Sequence, residues 1–483
     1  HRASAKDASS NISTKTCDVN DDAPHIIVPL PGDLSWGIID IYNNTTGSGT
    51  MRQVRHYRIF VAVALAAFIL ASARGYAMNL IFEDAQYSFQ TLRATAATAG
   101  GAADIGECLK TAYRITEGDD ESWYREWFRT AEQRRKEADD LAAQGRMMSA
   151  HQEYLKASNY YRTAEFFLHN NPEDPRILAT WREGRESFLK AARLSRAPII
   201  PVEIPFEGTT LPGYRCLVDD RKVKRPLLVI QTGFDGTAEE LYYTVAVFAL
   251  ARGYNCLLFE GPGQGRVIRE QKIPFRPNWE TVITPVVDFA LGQEETDPRH
   301  IAIMGISFGG YFVPRAMAFE KRIPFCIVNG GVYDFHRTAR LTPELEKMLD
   351  SAEGSGAIDR EVYERMEKSP SLRWAVGNGM FTFHAKTPSE WFRMTRAYTL
   401  EGVTDRITCT MLVVDSEDDR DMPGQSRMLY DALRSPRDYM LFTREEGAEE
   451  HCQVGASRIS NARILDWLDN AMKAKPMMEG SRE

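Results

Sequence analysis

Between Asp104 and Leu194 apolar residues recur at helical spacing. Trp123 and Trp127 stand four apart, and Ala150, Tyr154, Ala157, Tyr161, Ala164 and Phe167 repeat at intervals of three or four, which aligns them along one face of a helix. Asn170, Asn171, Pro172, Glu173, Asp174 and Pro175 interrupt the pattern, and Trp181, Phe188 and Ala192 resume it. The segment therefore predicts a domain of paired antiparallel helices. No second copy recurs at a fixed period, which argues against a helical-repeat array. The Tyr and Trp stripe reads as core, and Arg134, Arg135 and Lys136 as a solvated helix face.

Past Ala197-Pro198-Ile199-Ile200-Pro201 the pattern changes to short runs that are apolar on both faces: Leu227–Ile230, Asn255–Phe259, Ile301–Met304, Phe325–Val328, Thr410–Val414 and Tyr439–Phe442. Helix-length segments separate most of them, as buried parallel strands require. The fold class is α/β, with an open and mostly parallel sheet. The stretch from Gly330 to Arg406 is too long for a structureless loop and carries helical patterning, so it is read as an inserted helical cap over the strand ends. The resulting division is a leader over 1–77, a helical N-terminal domain over 78–196, an α/β core over 197–332 and 405–475, and the cap over 333–404.

Composition narrows the partners. The 483 residues carry 59 Lys+Arg against 67 Asp+Glu, a formal net charge of −8, so nucleic acid is not expected as the main partner. The seven cysteines are scattered singly, without a C-x-x-C pair or histidines at ligand spacing; neither a metal site nor a disulfide framework is expected, and no cofactor.

The first fifty residues, rich in Ser, Thr, Asn and Asp, read as disordered. Met51 then opens a basic stretch with Arg52, Arg55 and Arg58, followed by the apolar run Ile59–Ala73, which ends in Ala71-Ser72-Ala73. This order describes a secretory signal, and the run is short for a transmembrane span of about 20 residues. Export to a secreted or periplasmic location is the expectation, without stable membrane integration. A start at Met78 would instead give a cytoplasmic protein.

The most specific local pattern is Gly305-Ile306-Ser307-Phe308-Gly309, placed after one strand and before a helix. G-x-S-x-G in that context is a nucleophile elbow, in which small flanking residues let a tight turn lift the serine oxygen above the sheet. A serine hydroxyl needs a base oriented by a carboxylate, and in this architecture the chain order is Ser, acid, His. Of His336, His384 and His451, the first two fall in the cap, so Ser307 is paired with His451. The acid is sought after Thr410–Val414, where Asp418 leaves a short turn to bring its side chain back over the sheet; Asp415, Asp419 and Asp421 lie on the same loop. An oxyanion hole needs a second backbone donor after an earlier strand, which assigns the amides of Phe234 and Phe308. Asp235 puts an acidic group beside that hole, to be neutral, to bind a substrate amine or hydroxyl, or to cap the next helix with Thr237. The glycine cluster Gly261-Pro262-Gly263-Gln264-Gly265 lacks the spacing of a phosphate loop and is read as a structural turn.

These residues resemble those of an α/β-hydrolase. Gly233–Glu240, Phe259–Gly265, Gly305–Gly310 and Gly447–Gln453, behind a helical N-terminal domain, resemble the branch that contains dihydropseudooxynicotine hydrolase and the fungal pigment polyketide-shortening hydrolases. The likeness covers roughly residues 80 to 475. It implies Ser307, Asp418 and His451 as the triad, a homodimer, and hydrolysis of a carbon–carbon bond beside a ketone in a diketone- or polyketide-like small molecule. At Asp235 the nicotine-pathway enzyme is similar but carries Glu. The same equipment would cleave a carboxylic ester, and a catalytically silent ligand-binding protein is a further alternative. The helical segment 105–195 is expected to wall the substrate pocket.

Overall fold

The structure, a computed structural model, describes residues 78–474 and two short strands nearer the N-terminus. Those strands, β1 (Ile26–Pro29) and β2 (Trp36–Ile39), pair antiparallel with Ile26 opposite Ile39. They fall in the stretch expected to be disordered. The signal-like segment Met51–Ala73 lies outside the described residues.

The helical patterning of residues 104–194 becomes helices α2 to α5, preceded by α1 (Ala85–Ala96): α2 spans Ile105–Ala112, α3 Asp120–Ala143, α4 Met147–Glu165 and α5 Pro175–Leu194. Their starts are chemically marked. The Asp84, Asp119 and Asp174 side chains accept from the first free amides of α1, α3 and α5, which satisfies donors that the helix itself cannot. Trp123, Trp127 and Tyr161 are buried among these helices, as the stripe predicts, while Phe188 is buried against Tyr214 and Tyr242 of the core.

The core sheet has eight strands in the order β10-β9-β8-β7-β5-β6-β4-β3. Six of them match the predicted runs: β5 (Arg225–Gln231), β6 (Asn255–Phe259), β7 (Thr296–Ile306), β8 (Phe325–Asn329), β9 (Thr410–Ser416) and β10 (Arg437–Phe442). These six are mutually parallel. Alternate residues serve the two faces, as a pleated strand demands. Val229, Leu257, Ile303, Val328 and Val413 join one core, and Leu228, Leu258, Met304, Ile327 and Leu412 join the other.

The sequence patterning overlooks β3 (Ile199–Phe206) and β4 (Thr209–Cys216), an antiparallel hairpin that extends the sheet beyond β6. Pro201 and Pro205 obscure it. A proline removes a ladder donor and is tolerated on an edge strand, and β3 is one of the two edges. The hairpin closes through Glu207 and Gly208, with φ values of 42° and 80°, the left-handed pair that a two-residue turn requires.

Between β8 and β9 the chain forms four helices over Pro343–Leu349, Ala352–Met366, Pro370–Phe383 and Pro388–Thr395. Among the described residues no helix is long and apolar enough to cross a membrane.

Candidate active site

Ser307 stands between β7 and the helix Gly309–Met317 with φ +58°. The turn is held by its amide, which donates to the Asn329 carbonyl at 2.8 Å. Glycine is required on both sides: a Cβ on Gly305 would lie 2.2 Å from the Gly309 carbonyl oxygen, and one on Gly310 2.1 Å from that of Gly330. A left-handed serine is a strained conformation that persists only where the surroundings enforce it, and here it lifts Oγ toward the opening above the sheet.

His451 and Ser307, 144 positions apart, meet there. Nε2 of His451 is 2.8 Å from Ser307 Oγ, and Nδ1 is 2.8 Å from Asp419 Oδ2. The Asp419 carboxylate is itself fixed, because its Oδ1 accepts from the amides of Asp421 at 3.0 Å and Met422 at 2.8 Å. Burial of the imidazole opposes protonation, but the charge of Asp419 outweighs it, and His451 titrates well above its ordinary range.

Asp418, the acid expected from sequence, is not the partner of His451. Its amide donates to the Glu449 carbonyl at 3.0 Å, and its carboxylate turns to the Arg444 guanidinium. Asp418 sits inside the turn closed by the bond from the Asp419 amide to the Ser416 carbonyl, at 3.3 Å, and the next residue, Asp419, faces the histidine. Asp415 is occupied by the Tyr439 hydroxyl, which donates to it at 2.5 Å. The Asp421 carboxylate stands 4.0 Å from His451 Nε2.

The loop after β5 comes against the elbow at Gly233. A Cβ there would lie 2.8 Å from the Phe308 amide nitrogen and 2.8 Å from Ser307 Cβ, so only glycine lets the two backbones approach this closely. Phe234 follows directly, which puts both residues expected to form the oxyanion hole beside Ser307.

Asp235 neither caps the next helix nor stands neutral. Thr237 is the cap, accepting from the Glu240 amide. Asp235 accepts from Arg93 Nη1 of α1 at 2.7 Å, and Arg162 lies 3.9 Å away. Burial works against its ionisation, yet Arg93 and then Arg162 hold its carboxyl below the usual range. Arg93 also grips Glu240 through Nε and Nη2, at 2.7 and 2.6 Å. No local pattern in the sequence marks Arg93; it reaches the site only because α1 docks on the core.

Above Ser307 and His451 opens a cavity of about 920 Å³. Trp374, Val376, Trp391 and Phe392 of the cap line one side, and Phe89, Gln90 and Arg93 of α1 another. The wall is therefore residues 78–96, and not the segment 105–195 that sequence suggested: α1 packs on α3 through Tyr87, which meets the Trp123 ring and donates to Asp120, and no residue of 105–195 lines the chamber. Among the described residues no group of three or more His, Cys, Asp or Glu is arranged to hold a metal ion.

The prolyl oligopeptidase family matches residues 282–475. The hydrolase acrC of Aspergillus aculeatus is 32% identical over 416 residues, spanning 80% of this chain and 97% of that protein. The 20-hydroxy-prefusarin hydrolase FUS2 of Gibberella moniliformis is 33% identical over 416 residues, 82% of this chain and 99% of its own. Among solved structures, 2,6-dihydroxy-pseudo-oxynicotine hydrolase superposes with a TM-score of 0.61 at 19% identity, covering 80% of this chain and 99% of that one. The chain belongs to the α/β-hydrolase family and groups there with these fungal hydrolases. It is accordingly an enzyme, a hydrolase.

Proposed function

We propose that this hydrolase uses Ser307, His451 and Asp419 as a catalytic triad to cleave a carbon–carbon bond beside a ketone in a diketone- or polyketide-like small molecule. One observation carries the reading: the unbroken run of contacts from Ser307 Oγ through both ring nitrogens of His451 to Asp419 Oδ2, at the floor of a chamber of about 920 Å³. The chamber suits a small molecule, and its wall of Trp374, Val376, Trp391 and Phe392 suits an apolar one. The relative named for hydrolysis of 20-hydroxy-prefusarin supports the same substrate class.

Ser307 Oγ adds to the ketone carbon while His451 Nε2 takes its proton. The Phe234 and Phe308 amides stabilise the alkoxide that forms, and the approach enforced at Gly233 supports that role. Collapse of the adduct breaks the carbon–carbon bond. Its electron pair leaves on the carbon flanked by the second carbonyl as an enolate, and the His451 imidazolium returns the proton. Water, deprotonated by His451, then releases the acyl group from Ser307 as a carboxylic acid. Asp419 holds the tautomer in which Nε2 is free to accept and stabilises the imidazolium. Asp235, ionised and lining the chamber, accepts from a substrate hydroxyl or amine.

The test has two arms. A fluorophosphonate should label the wild-type protein covalently and fail to label Ser307→Ala; a folded wild-type protein that stays unlabelled would overturn the triad and favour a ligand-binding role. Paired β-diketone and aryl-ester substrates then separate the chemistries, because turnover confined to the ester would refute carbon–carbon cleavage.

A further inference from the structure

The glycine cluster Gly261-Pro262-Gly263-Gln264-Gly265 follows β6, and the triad does not use it. Each glycine is packed too tightly for a side chain: Cβ atoms would lie 2.6 Å from the Trp279 ring at Gly261, 2.4 Å from the Phe275 ring at Gly263 and 1.8 Å from the Glu260 carboxyl at Gly265. The turn so formed delivers one buried side chain, Gln264, beneath the loop after β5. Its Nε2 donates to the carbonyls of Thr232 and Gly233, each at 2.9 Å. Both amide hydrogens are thereby committed. Its Oε1 accepts from Gln231 Nε2 at 2.6 Å and from the Gly261 amide at 2.9 Å, which fixes which end of the side chain faces the loop.

The next carbonyl in the loop, that of Phe234, is held from a different module. Asn378 of the cap helix Pro370–Phe383 donates to it through Nδ2 at 3.2 Å. Asn378 is fully buried, and its Oδ1 stands 2.8 Å from His169 Nδ1. Since Oδ1 can only accept, Nδ1 of His169 carries the hydrogen. His169 belongs to the N-terminal helical domain, where its Nε2 meets Glu165 at 3.0 Å, and its ring stacks on Phe381 of the same cap helix at 4.7 Å. Three consecutive carbonyls, Thr232 to Phe234, are thus clamped by two carboxamides, one from the core and one from the cap, the second braced by the helical domain.

The Gly233 carbonyl and the Phe234 N–H belong to one planar peptide unit. Gln264, donating to that carbonyl, sets the direction of the N–H and polarises it, which strengthens the bond it gives; the Phe234 carbonyl held by Asn378 belongs to the next peptide unit, so Asn378 acts by fixing where Phe234 sits. We infer that Gln264 and Asn378 are positioning residues for the oxyanion hole, with His169 fixing the orientation of Asn378. The inference rests on the proposal that Ser307 is the nucleophile and Phe234 an oxyanion donor. It gives the inserted cap and the helical domain a share in the chemical step, besides enclosing substrate.

The experiment measures inactivation by a fluorophosphonate, whose phosphoryl oxygen occupies the oxyanion position, resolved into kinact and KI, together with kcat and KM on an aryl ester. Gln264→Met should lower kinact and kcat by about a hundredfold, the scale of losing one oxyanion donor, with KI and KM within about threefold. Asn378→Leu should lower both rate constants by about tenfold, again with little change in KI or KM. His169→Phe should follow Asn378→Leu, whereas His169→Asn, whose Nδ2 can take the place of the ring Nδ1, should recover most of the rate. The histidine pair keeps the test sharp if either carboxamide variant fails to fold, since both aromatic and amide replacements fit a ring-sized site. Unchanged kinact in folded variants, a loss that falls on KI and KM alone, or His169→Asn falling as far as His169→Phe would each overturn the positioning role while wild-type labelling at Ser307 stands. Absence of that labelling would overturn the nucleophile assignment and this inference with it.

Discussion

Replacing Asp419 by asparagine and, separately, Asp418 by asparagine tests the assignment of the acid most directly. Asp419 Oδ1 accepts from two amides and Oδ2 faces His451 Nδ1. In Asp419→Asn the side-chain carbonyl must stay toward those two donors, so the new NH2 points at the ring. Nδ1 is then forced to accept, the hydrogen moves to Nε2, and Nε2 can no longer take the Ser307 proton. The charge is lost as well. Two unit charges about 4 Å apart interact by about 4 kcal/mol at an effective dielectric of about 20, and with side-chain exposures of 9% and 3% solvent screens this pair little. That alone is about a thousandfold in rate at about 1.4 kcal/mol per factor of ten, and the wrong tautomer takes the loss toward about 10⁴. Asp418→Asn breaks a pair with Arg444, which is 44% exposed. Such pairs contribute up to about 1 kcal/mol of stability, and kcat should stay within about twofold of wild type. Steady-state kcat on an aryl ester and the rate of fluorophosphonate labelling provide the readout. Asp419→Asn with more than about a tenth of wild-type activity, or equal losses in the two variants, would refute the assignment.

Three further outcomes follow from the same geometry. His451 titrates above its ordinary 6.5 because the charge of Asp419 outweighs its burial; catalysis needs the neutral ring, so kcat/KM should rise through an apparent pKa above 6.5, and a profile already flat at pH 6.5 would contradict it. The linked stability has the opposite sense: it is fully present below the unfolded value near 6.5 and is lost as pH rises through the higher folded value, which denaturant melts across that window would detect. Arg93→Met leaves Asp235 and Glu240 with Arg162 alone, at 3.9 and 3.8 Å; breaking a buried pair of this kind costs about 3–5 kcal/mol, and a urea midpoint unchanged from wild type would show that the cluster holds nothing. Gly233→Ala introduces a Cβ 2.8 Å from the Phe308 amide nitrogen, and the forced parting of loop and elbow should lower kcat by about a hundredfold with KM little altered, as steady-state kinetics would report.

The sheet was legible where burial on both faces left unbroken apolar runs, and the six parallel strands fall within a few residues of those runs. It was illegible at the hairpin of β3 and β4, where prolines break the runs; the other edge, β10, was read although most of its side chains are not buried. In β3 the pattern Ile199, Val202, Ile204 and Phe206 is interrupted by Pro201 and Pro205, residues that mark a boundary unless the missing donors face away from a neighbour. Which side of a strand has a neighbour is a property of the assembled sheet. The helical domain shows the same division: its period announced the helices, but the surface that walls the chamber belongs to α1, which packs there through Arg93 and two distant carboxylates.

The site divides along a similar line. Ser307 and His451 were readable because sterics and chain order constrain them locally: the elbow demands glycines on either side, and only one histidine follows the last strand. The acid is different. Asp418 and Asp419 are chemically identical neighbours, and the choice between them depends on the direction in which one peptide turns, set by the bond from the Asp418 amide to Glu449 and by the pull of Arg444 on the Asp418 carboxylate. The turn closed by the Asp419 amide on the Ser416 carbonyl sends the two carboxylates to different partners, so an error of one position exchanges His451 for Arg444. The carboxamide clamp is less legible still. Gln264 lies in a recognisable turn, but its meaning comes from carbonyls some thirty positions earlier, and Asn378 acts from a helix 144 positions beyond the peptide it holds. Groups that act on the substrate leave short motifs because the chemistry constrains their neighbours; groups that act through backbone carbonyls leave none, since any donor brought to the right place by the fold would serve.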